Sequence, residues 1–405
     1  MRSSHSGSAE MGRHRGSEKM GHNSGSAKRS RRSGPIKVGL LGGGQLARML
    51  ALKGHEMGLE VSVLSPSAQD PAAQVCGRWQ QGDSARPEDL KQFLQQVDVA
   101  TFESEFVRAS SLNSLSPSLR RKLSPKPELM IQLQDRLSQK NLLLQHKLPT
   151  APFESPQSRE QAAEALKEFG GRMILKKRLF GYDGYGTFAI KKARDLQSIP
   201  APVFSDPGLI AESWVPFDRE LALLSVRNVR GQVQHFPLVE SHQVDKRCLW
   251  VRGPMPPKRP QALQSLKRGI ARFLDSIDYV GVMAFELFEV QGSLMINEIA
   301  PRVHNSAHYS LNALTLDQFS AHWRALLNWE LNRPQSLYPG FAMLNLLGQS
   351  RQAPSWKPLP QDISLHWYGK TENRPGRKMG HINAGGRSAQ RALNRLFKVR
   401  KDFQL

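Results

Sequence analysis

The 405-residue sequence predicts an α/β protein whose N-terminal part contains a parallel β-sheet. An apolar run at residues 36–41 is followed by three glycines and by a helical pattern that begins at Gln45 and ends near Gly54. Two further strand-like runs, "EVSVLS" and "VDVATFESE", each follow a helical or loop segment. Because buried strands alternate with helices, we expect a parallel sheet covered by helices.

The turn "GGGQLA" after the first strand resembles a phosphate-binding turn, in which free backbone N–H groups at a helix N-terminus contact an anion. It lacks the complete dinucleotide fingerprint, and no suitably placed acidic residue ends the next strand. Taken alone, this turn is therefore a weak indication of nucleotide binding.

The next segment, residues 127–148, predicts one long helix. Residues at four-residue spacing mark two of its faces: Leu129, Leu133 and Leu137 on one, and Gln132, Arg136 and Lys140 on the other. A second helix is expected to begin at Ser158, whose spacing to Gln161 forms a capping box, and to end at Gly170 and Gly171.

The stretch "RMILKKRLFGYDGYGTFAI" then predicts a strand, a glycine-rich loop and a second strand. Lys176 ends the first strand, and the loop contains Gly181, Gly184 and Gly186, so its backbone can fold over phosphate oxygens. It is not a Walker A loop, because no GK[ST] closes it. A flexible hairpin turn with surface lysines is an equally good interpretation of these residues alone.

After a helix expected over residues 261–276, the stretch "VGVMAFELFEVQGSLMINEIAPR" predicts a hairpin with two carboxylates inside apolar strands. A two-residue loop at 291–292 would place Glu286 opposite Asn297, whereas a three-residue loop at 291–293 would place it opposite Glu298. We expect the three-residue loop, with Gly292 at or near the left-handed position. Two facing carboxylates would require a divalent cation, and oxygen ligands favour Mg²⁺. An ion pair with a nearby Arg or Lys is the alternative.

The formal charge of +22 favours contact with phosphate polymers, but its distribution weakens that interpretation. Residues 1–34 contain eight Lys or Arg and two Glu among many Ser and Gly, with few large apolar residues. Such a segment cannot offset the entropy of its own ordering, so we predict a disordered basic tail. Since no binding module or aromatic stacking platform is recognisable, we do not expect a nucleic-acid partner.

If residues 1–34 are a solvated extension, a chain that begins at Pro35 should keep both its activity and its thermal midpoint. Differential scanning calorimetry and an activity assay on the two forms would test this. A loss of either property beyond experimental scatter would show that the tail docks on the folded part.

Two other classes of protein are disfavoured by the sequence. The two cysteines, Cys76 and Cys248, are far apart and lack metal-ligand spacing, so neither a disulfide framework nor a zinc site is indicated. The chain contains no apolar run long enough for a membrane helix and no apolar signal-peptide core near its start. We therefore expect a protein of the reducing cytoplasm, with no membrane partner.

The order of these segments resembles the ATP-grasp ligases more specifically than any one of them does. The order is "DRLSQK", the strand with Lys176, "GYDGYG", "AESWV", Glu220, and the paired Glu286 and Glu298 before "APRVHNS". Within that superfamily, "INEIAPRVHNS", "HWYGK" and "RPGRKMGHI" are similar to the 5-(carboxyamino)imidazole ribonucleotide synthases, the ATP-dependent carboxylases of purine biosynthesis. The resemblance covers residues 36 to about 385.

The resemblance implies an α/β protein with an ATP-grasp fold, an N-terminal parallel-sheet (Rossmann-like) domain and a small C-terminal β-rich domain. The expected divisions after the tail are an N-terminal domain at 35–126, an ATP-grasp domain at 127–332 with subdomains at about 127–205 and 206–332, and a substrate-completing domain at 333–405. Family members are usually dimers, so a homodimer is expected.

The resemblance also implies the site residues, with ATP and Mg²⁺ as cofactors and aminoimidazole ribonucleotide and bicarbonate as substrates. The expected metal ligands are Glu286 and Glu298. The reacting groups would meet Lys176, Arg302, His304 and Asn305. Residues expected to hold ATP are Arg136, Lys176, Gly181, Tyr182, Asp183, Gly184, Tyr185, Gly186, Thr187, Glu212, Ser213, Trp214, Val215, Glu220, Asn297 and Glu298. Those expected to hold the ribonucleotide are Tyr182, Asp183, Arg302, Asn305, Lys370 and Arg377.

Two positions depart from the family pattern. Tyr185 stands where the family often has Arg or another polar residue, and a nucleotide-contacting His aligns with Gln243 unless the register shifts to His242. The alternative enzyme class is another ATP-grasp carboxylase or ligase, such as a biotin carboxylase or a formate-dependent glycinamide ribonucleotide enzyme. Those enzymes would share the ATP site but not the "RPGRKMGH" segment.

Overall fold

The structure, a computed structural model, describes residues 34–106, 108–181, 185–206 and 208–405. Residues 1–33 of the predicted tail lie outside the described residues. The strands are β1 (Lys37–Leu41), β2 (Glu60–Ser65), β3 (Arg78–Gln81), β4 (Val99–Phe102), β5 (Leu123–Ser124), β6 (Phe153–Glu154), β7 (Met173–Lys177), β8 (Thr187–Ile190), β9 (Leu209–Ser213), β10 (Arg219–Arg227), β11 (Val233–His235), β12 (Val239–Val244), β13 (Arg247–Gly253), β14 (Gly281–Val290), β15 (Ser293–Ala300), β16 (Gly340–Leu347), β17 (Ser355–Trp356), β18 (Ile363–Trp367), β19 (Lys378–Gly386) and β20 (Phe403–Gln404).

The α-helices of the described chain fall between these strands. They are α1 (Gln45–Glu56), α2 (Pro87–Gln95), α3 (Ala109–Asn113), α4 (Pro117–Arg120), α5 (Pro127–Gln134), α6 (Arg136–Gln145), α7 (Arg159–Glu168), α8 (Pro260–Ser276), α9 (Ser310–Ala313), α10 (Gln318–Leu326) and α11 (Ala389–Arg400). None of the helices that the structure describes is both long enough and apolar enough to cross a bilayer.

The N-terminal sheet has five parallel strands in the order β3-β2-β1-β4-β5, which confirms the predicted parallel α/β arrangement. The sequence pattern missed β3, so "VDVATFESE" supplies the fourth strand along the chain and not the third. Strand β3 has the sequence "RWQQ" and no buried residue. Because it offers no apolar run, only its pairing with β2 identifies it.

The predicted long helix at 127–148 is wrong: it is two helices, α5 and α6, divided at Asp135. The Asp135 carboxylate caps α6 by accepting a hydrogen bond from the Leu137 N–H at 3.0 Å, and it also accepts one from Arg178 Nε at 3.1 Å. Since Arg136 is the first residue of α6, the break turns its side chain toward the glycine loop, where Nη2 donates to the Gly181 carbonyl at 3.2 Å.

Helix α7 begins as predicted, because Ser158 Oγ accepts from the Gln161 N–H at 3.3 Å. The reciprocal bond of the capping box shifts by one residue, with Gln161 Oε1 accepting from the Gln157 N–H. After the helix, Gly170 and Gly171 both have positive φ angles, as expected for a helix stop.

The remaining strands form two larger antiparallel sheets and one two-stranded pair. A four-stranded sheet has the order β6-β9-β7-β8, and a nine-stranded sheet runs β15-β14-β10-β12-β13-β16-β19-β18, with β11 beside β10. The C-terminal part is β-rich, as predicted, but β16, β18 and β19 extend the large sheet through the β13–β16 pairing. Helix α11 packs on β16, β19 and β13. The 374–378 segment is thereby attached to the sheet that carries the paired glutamates.

His322 on α10 is fully buried between the N-terminal sheet and β14. Its Nε2 lies 2.8 Å from Thr101 Oγ1, and its Nδ1 accepts from the Val282 N–H at 3.1 Å. Burial lowers the pKa of His322 to about 3. The folded protein therefore holds this imidazole neutral, whereas the unfolded chain protonates it near pH 6.5.

We expect the folded state to lose stability as the pH falls from about 6.5 toward 3, since the unfolded chain binds a proton that folded His322 does not. One such group costs about 1.4 kcal/mol at pH 5.5. His322→Gln should therefore lose about that much less unfolding free energy than wild type between pH 7.5 and 5.5, measured by denaturant titration. The exposed His55 is the matched control, and equal losses in wild type and His322→Gln would contradict the assignment.

Candidate active site

The two carboxylates of the β14–β15 hairpin lie opposite each other, but not for the predicted reason. The connection is a two-residue loop, with Gln291 and Gly292 both at positive φ and Val290 paired with Ser293, so the predicted three-residue loop is wrong. A β-bulge between Glu286 and Leu287 shifts the register, and Glu286 pairs with Glu298 because Asn297 is the additional residue.

This pairing places two carboxylates in one cavity. Burial raises the pKa of Glu286 to about 7, and repulsion from Glu298 and Glu220 adds to that rise. In this structure Glu298 Oε2 lies 2.5 Å from Arg136 Nη1, and Glu286 Oε1 lies 3.5 Å from His304 Nε2. A divalent cation between the carboxylates would remove their mutual repulsion, so the donor set fits an oxygen-preferring ion.

A buried charge network adjoins the pair. Lys176 Nζ lies 3.0 Å from Glu212 Oε1 and donates to Asn297 Oδ1 at 3.1 Å. Lys140 Nζ lies 3.2 Å from Glu212 Oε2 and donates to Thr150 Oγ1 at 2.7 Å. Although burial opposes its ionisation, Lys176 and Lys140 lower the pKa of Glu212 to about 2. The carboxylate of Glu212 thus fixes the Lys176 ammonium beside the bulged Asn297.

Lys140 is a residue to which the sequence analysis gave no role. Its four-residue spacing from Arg136 was the available signal, since both lie on one face of α6. Burial lowers the pKa of Lys140 to about 8, against the opposing attraction of Glu212. The ammonium is thus paired inside the protein and supports Lys176 through their shared carboxylate.

Arg302 is bound by a carboxylate from the N-terminal part of the chain. Glu105, just after β4, accepts from Arg302 Nε at 2.5 Å and from Nη2 at 3.1 Å. Burial alone would raise the pKa of Glu105, but Arg302 outweighs it and lowers the pKa. Such a two-point contact fixes the plane of the guanidinium. The sequence analysis assigned no role to Glu105, the last residue of "VDVATFESE", and did not predict its partner.

The neighbouring Glu103 explains the glycine turn. Its carboxylate accepts from the Gly44 N–H at 2.6 Å and from the Leu46 N–H at 3.3 Å, at the N-terminus of α1. A β-carbon on Gly44 would lie 2.0 Å from Glu103 Oε1, so a larger residue here would displace the carboxylate and glycine permits its close approach. The N–H groups that could have bound a phosphate are thus occupied by the protein itself.

The far end of the cavity is apolar and aromatic. Trp214 and Val215 follow β9, and Phe217 stacks on Phe288 with ring centroids 4.6 Å apart. Glu220 on β10 is next to these rings, and burial raises its pKa. A flat apolar slot beside a carboxylate suits a nucleoside, whose base is apolar on its faces and whose ribose donates hydrogen bonds.

A single cavity of about 530 Å³ brings together most of the residues that the sequence singled out. They are Arg136, Lys176, Gly181, Thr187, Glu212, Ser213, Trp214, Val215, Glu220, Glu286, Asn297, Glu298, Arg302, His304 and Asn305. Residues lining it without a predicted role include Gln45, Glu105, Lys246, Cys248 and Lys378. Tyr182, Asp183 and Gly184 lie outside the described residues.

Four predicted positions lie beside this cavity and do not line it. Tyr185 is 62% exposed, with Lys177 Nζ 5.2 Å from its ring centroid, and Gly186 is packed against the same lysine. Lys370 Nζ donates to Gln45 Oε1 at 2.6 Å, and Gln45 does line the cavity. Arg377 Nη1 donates to the Glu372 carbonyl at 3.1 Å.

The register question at residues 242 and 243 has a geometric answer. The β12–β13 ladder contains a bulge between His242 and Gln243. Gln243 lines the cavity, whereas His242 stacks on Trp250 with ring centroids 5.0 Å apart. In this register, the side of the strand that faces the cavity carries Gln243 and not His242.

Comparisons with known proteins agree with this geometry. Residues 141–319 match the ATP-grasp domain family, residues 36–134 the ribonucleotide synthetase preATP-grasp domain, and residues 342–395 the phosphoribosylaminoimidazole carboxylase C-terminal domain. The cavity that contains the paired carboxylates, Lys176 and Gly181, together with the first of these matches, defines an ATP-grasp enzyme.

Relatives that match this chain over most of its length identify the family within the ATP-grasp enzymes. The N5-carboxyaminoimidazole ribonucleotide synthase of Synechococcus elongatus is 38% identical over 88% of this chain and 91% of its own, and that of Pseudomonas aeruginosa is 36% identical over 88% and 96%. The crystal structure of the Thermus thermophilus synthetase has a TM-score of 0.79 at 34% identity, covering 89% of this chain and 98% of its own. The Aspergillus clavatus synthase in complex with ADP and 5-aminoimidazole ribonucleotide has a TM-score of 0.80 at 27% identity, covering 91% and 99%. The chain therefore belongs to the N5-carboxyaminoimidazole ribonucleotide synthase family, whose members are ATP-dependent ligases.

Proposed function

We propose that this enzyme uses ATP and bicarbonate to carboxylate 5-aminoimidazole ribonucleotide in purine biosynthesis. The observation that carries the proposal is the single cavity in which a nucleoside slot, the Glu286–Glu298 pair and the Arg302–Asn305 segment adjoin each other. The Aspergillus clavatus relative was solved with ADP and the same ribonucleotide, which supports this choice of substrates.

In the proposed ATP site, the adenine lies between the Trp214–Val215 segment and Phe288, with Glu220 on the ribose. Arg136 and Lys176 contact the phosphates, and residues 181–187 cover them. Glu286 and Glu298, with Asn297 beside them, would hold Mg²⁺. The described residues contain no group of three or more His, Cys, Asp or Glu that could hold a metal ion by itself, so phosphate oxygens and water would complete the coordination. Bound there, Mg²⁺ would neutralise charge on the phosphates during transfer.

The proposed chemistry has two steps. A bicarbonate oxygen attacks the γ-phosphorus of ATP, which gives carboxyphosphate and ADP. The exocyclic amine of the ribonucleotide then attacks the carboxyl carbon, phosphate leaves, and the amine loses a proton. Lys176 and Arg302 balance the developing negative charge, and no covalent enzyme intermediate is required.

The residues of the Arg302–Asn305 segment would orient the ribonucleotide that accepts the carboxyl group. Glu105 holds the Arg302 guanidinium in one plane, and Asn305 is fixed by Asn345, whose Nδ2 donates to Asn305 Oδ1 at 2.7 Å. His304 Nδ1 lies 2.9 Å from Ser306 Oγ, which leaves Nε2 facing the cavity near Glu286. Lys370 and Arg377 would contact the ribonucleotide phosphate, together with Tyr182 and Asp183. Because carboxyphosphate hydrolyses quickly, water must be excluded, a task suited to the glycine loop as a lid.

The purified protein tests this proposal directly. With ATP, Mg²⁺ and bicarbonate present, ADP release should depend on added 5-aminoimidazole ribonucleotide. Release that responds instead to glycinamide ribonucleotide with formate, or to biotin, would assign the enzyme to another ATP-grasp activity. We further propose a cytoplasmic homodimer, which sedimentation and cell fractionation can check.

A further inference from the structure

A second cavity, of about 570 Å³, lies at the C-terminal end of the chain. It is formed by the β12–β13 turn, the start of β13, the end of β16, residues 375–376 and the end of α11. It shares no lining residue with the active-site cavity. Its volume lies in the range of small-molecule sites.

The two cavities lie back to back. Side chains alternate along β13, so Cys248 faces the active site while Arg247 and Leu249 face the second cavity. Asn345 lines the second cavity and Asn305 lines the first, and their amides bond to each other at 2.7 and 3.1 Å. A single pair of side chains therefore forms part of the wall between them.

The second cavity is lined by three cations and one carboxylate. The cations are Arg247, Arg400 and Lys401, and the carboxylate is Asp245. Within residues 34–405, apart from the few positions that the structure does not describe, none of the three cations forms an ion pair. Arg136, Lys176 and Arg302 of the active site each lie beside a carboxylate, whereas these three cations line their cavity without a carboxylate within ion-pair distance among the described residues.

Both arginines are held close to the protein backbone. Burial lowers the pKa of Arg400, and its Nη1 donates to the Phe403 carbonyl at 3.0 Å. The Arg247 guanidinium lies against Gly376, where a β-carbon would be only 2.7 Å from Nη1. Gly376 has a φ of +76°, so glycine suits both this conformation and the approach of the arginine. Partly desolvated guanidinium groups without an anionic partner favour anion binding.

We propose that the second cavity is an anion site that binds a phosphate group, either free or in a small phosphate ester. Guanidinium groups match phosphate oxygens with paired N–H donors, and the cavity has room beyond the phosphate for an attached organic group.

An anion bound at this site is expected to change the position of the 374–378 segment, which contains Arg377. The Gly376 N–H donates to the Gly348 carbonyl, and the Gly348 N–H donates to the Arg377 carbonyl, both at 2.8 Å. An anion held against Gly376 therefore acts one residue away from Arg377. This consequence, unlike the site itself, rests on the proposed role of Arg377 in binding the ribonucleotide.

The test is a titration of the full chain with inorganic phosphate at constant ionic strength, balanced with sodium chloride. Mg²⁺ and a non-hydrolysable ATP analogue occupy the nucleotide site. Wild type should show a saturable rise in thermal midpoint. Arg247→Gln and Arg400→Gln, each measured singly, should weaken the apparent phosphate affinity by about tenfold or more. The Arg247 side chain makes no hydrogen bond to another described residue, so Arg247→Gln should fold.

The matched control is Arg391→Gln, because Arg391 is an exposed arginine of helix α11, which also contains Arg400. Its thermal midpoint should rise with phosphate as that of wild type does. A titration with ribose 5-phosphate distinguishes free phosphate from a phosphate ester as the ligand. If ribose 5-phosphate binds wild type more tightly than inorganic phosphate does, and Arg247→Gln and Arg400→Gln lose this binding, the ligand is a phosphate ester. No response in wild type, or an equal response in Arg247→Gln and Arg391→Gln, would overturn the proposal. Binding of the ATP analogue is measured in the same variants. If it is unchanged, a negative phosphate result counts against the second site and not against the proposed function.

Discussion

Replacing Glu298 by glutamine should lower the ATP-dependent turnover by about 10²-fold or more while the protein stays folded. The substitution keeps the size of the side chain but removes one of the two carboxylates that we propose hold Mg²⁺. The bulge places Glu298 directly opposite Glu286, so no other described carboxylate can take over its position on that strand pair. ADP release measured over a range of Mg²⁺ concentrations would show the loss.

The fold should tolerate this change. Glu298→Gln removes the repulsion that raises the pKa of Glu286, and it also removes the ion pair with Arg136. These two effects oppose each other, so the thermal midpoint should move by no more than about 3 °C. Glu330→Gln, at an exposed glutamate, is the control. Turnover like that of wild type at ordinary Mg²⁺ would refute the assignment of Glu298 as a metal ligand.

Arg377→Ala should raise the Michaelis constant for 5-aminoimidazole ribonucleotide by about tenfold or more and leave the apparent affinity for ATP almost unchanged. Charge-assisted hydrogen bonds to a phosphate contribute about 1.5 to 3 kcal/mol, and each 1.4 kcal/mol is a factor of ten. In this structure the guanidinium contacts the exposed Glu372, whose Oε2 lies 3.4 Å from Nη1. That weak surface contact can be exchanged for a substrate phosphate at little cost.

The neighbouring Arg374→Ala is the control for general loss of charge, because Arg374 is exposed and lies in the same segment. Equal effects of the two substitutions would indicate a diffuse electrostatic contribution and no specific contact. Full ribonucleotide affinity in Arg377→Ala, or a loss of ATP affinity instead, would mean that this segment does not bind the substrate.

Much of the fold could be predicted from sequence because its signals are local. Strand β1, the glycine turn and helix α1 follow each other as an apolar run, a turn and a periodic pattern, and helix α8 differs from its predicted bounds by one residue. Strand β3 could not be predicted, since its four residues carry no apolar pattern and depend on pairing with β2.

The loop length of the β14–β15 hairpin could not be predicted from the local sequence. The facing of Glu286 and Glu298 was correct, but the three-residue loop that led to it was not. The chain instead uses a tight turn and accommodates one additional residue, Asn297, in the ladder. Loop length and bulge position have the same effect on register, so only the three-dimensional pairing distinguishes them. The ion-pair partners of Lys140 and Arg302 could likewise not be predicted from sequence, because Glu212 and Glu105 come from distant parts of the chain.

The contact of Glu103 with the N-terminus of helix α1 has a consequence for selectivity among cellular anions. A carboxylate tethered within the same chain competes with free ligands at an effective concentration in the millimolar range or above. A free phosphate compound would have to displace it and also leave a buried, desolvated carboxyl group whose pKa is already raised. The glycine turn is therefore already occupied by a carboxylate of its own chain, so a phosphate compound is expected to bind elsewhere in the protein.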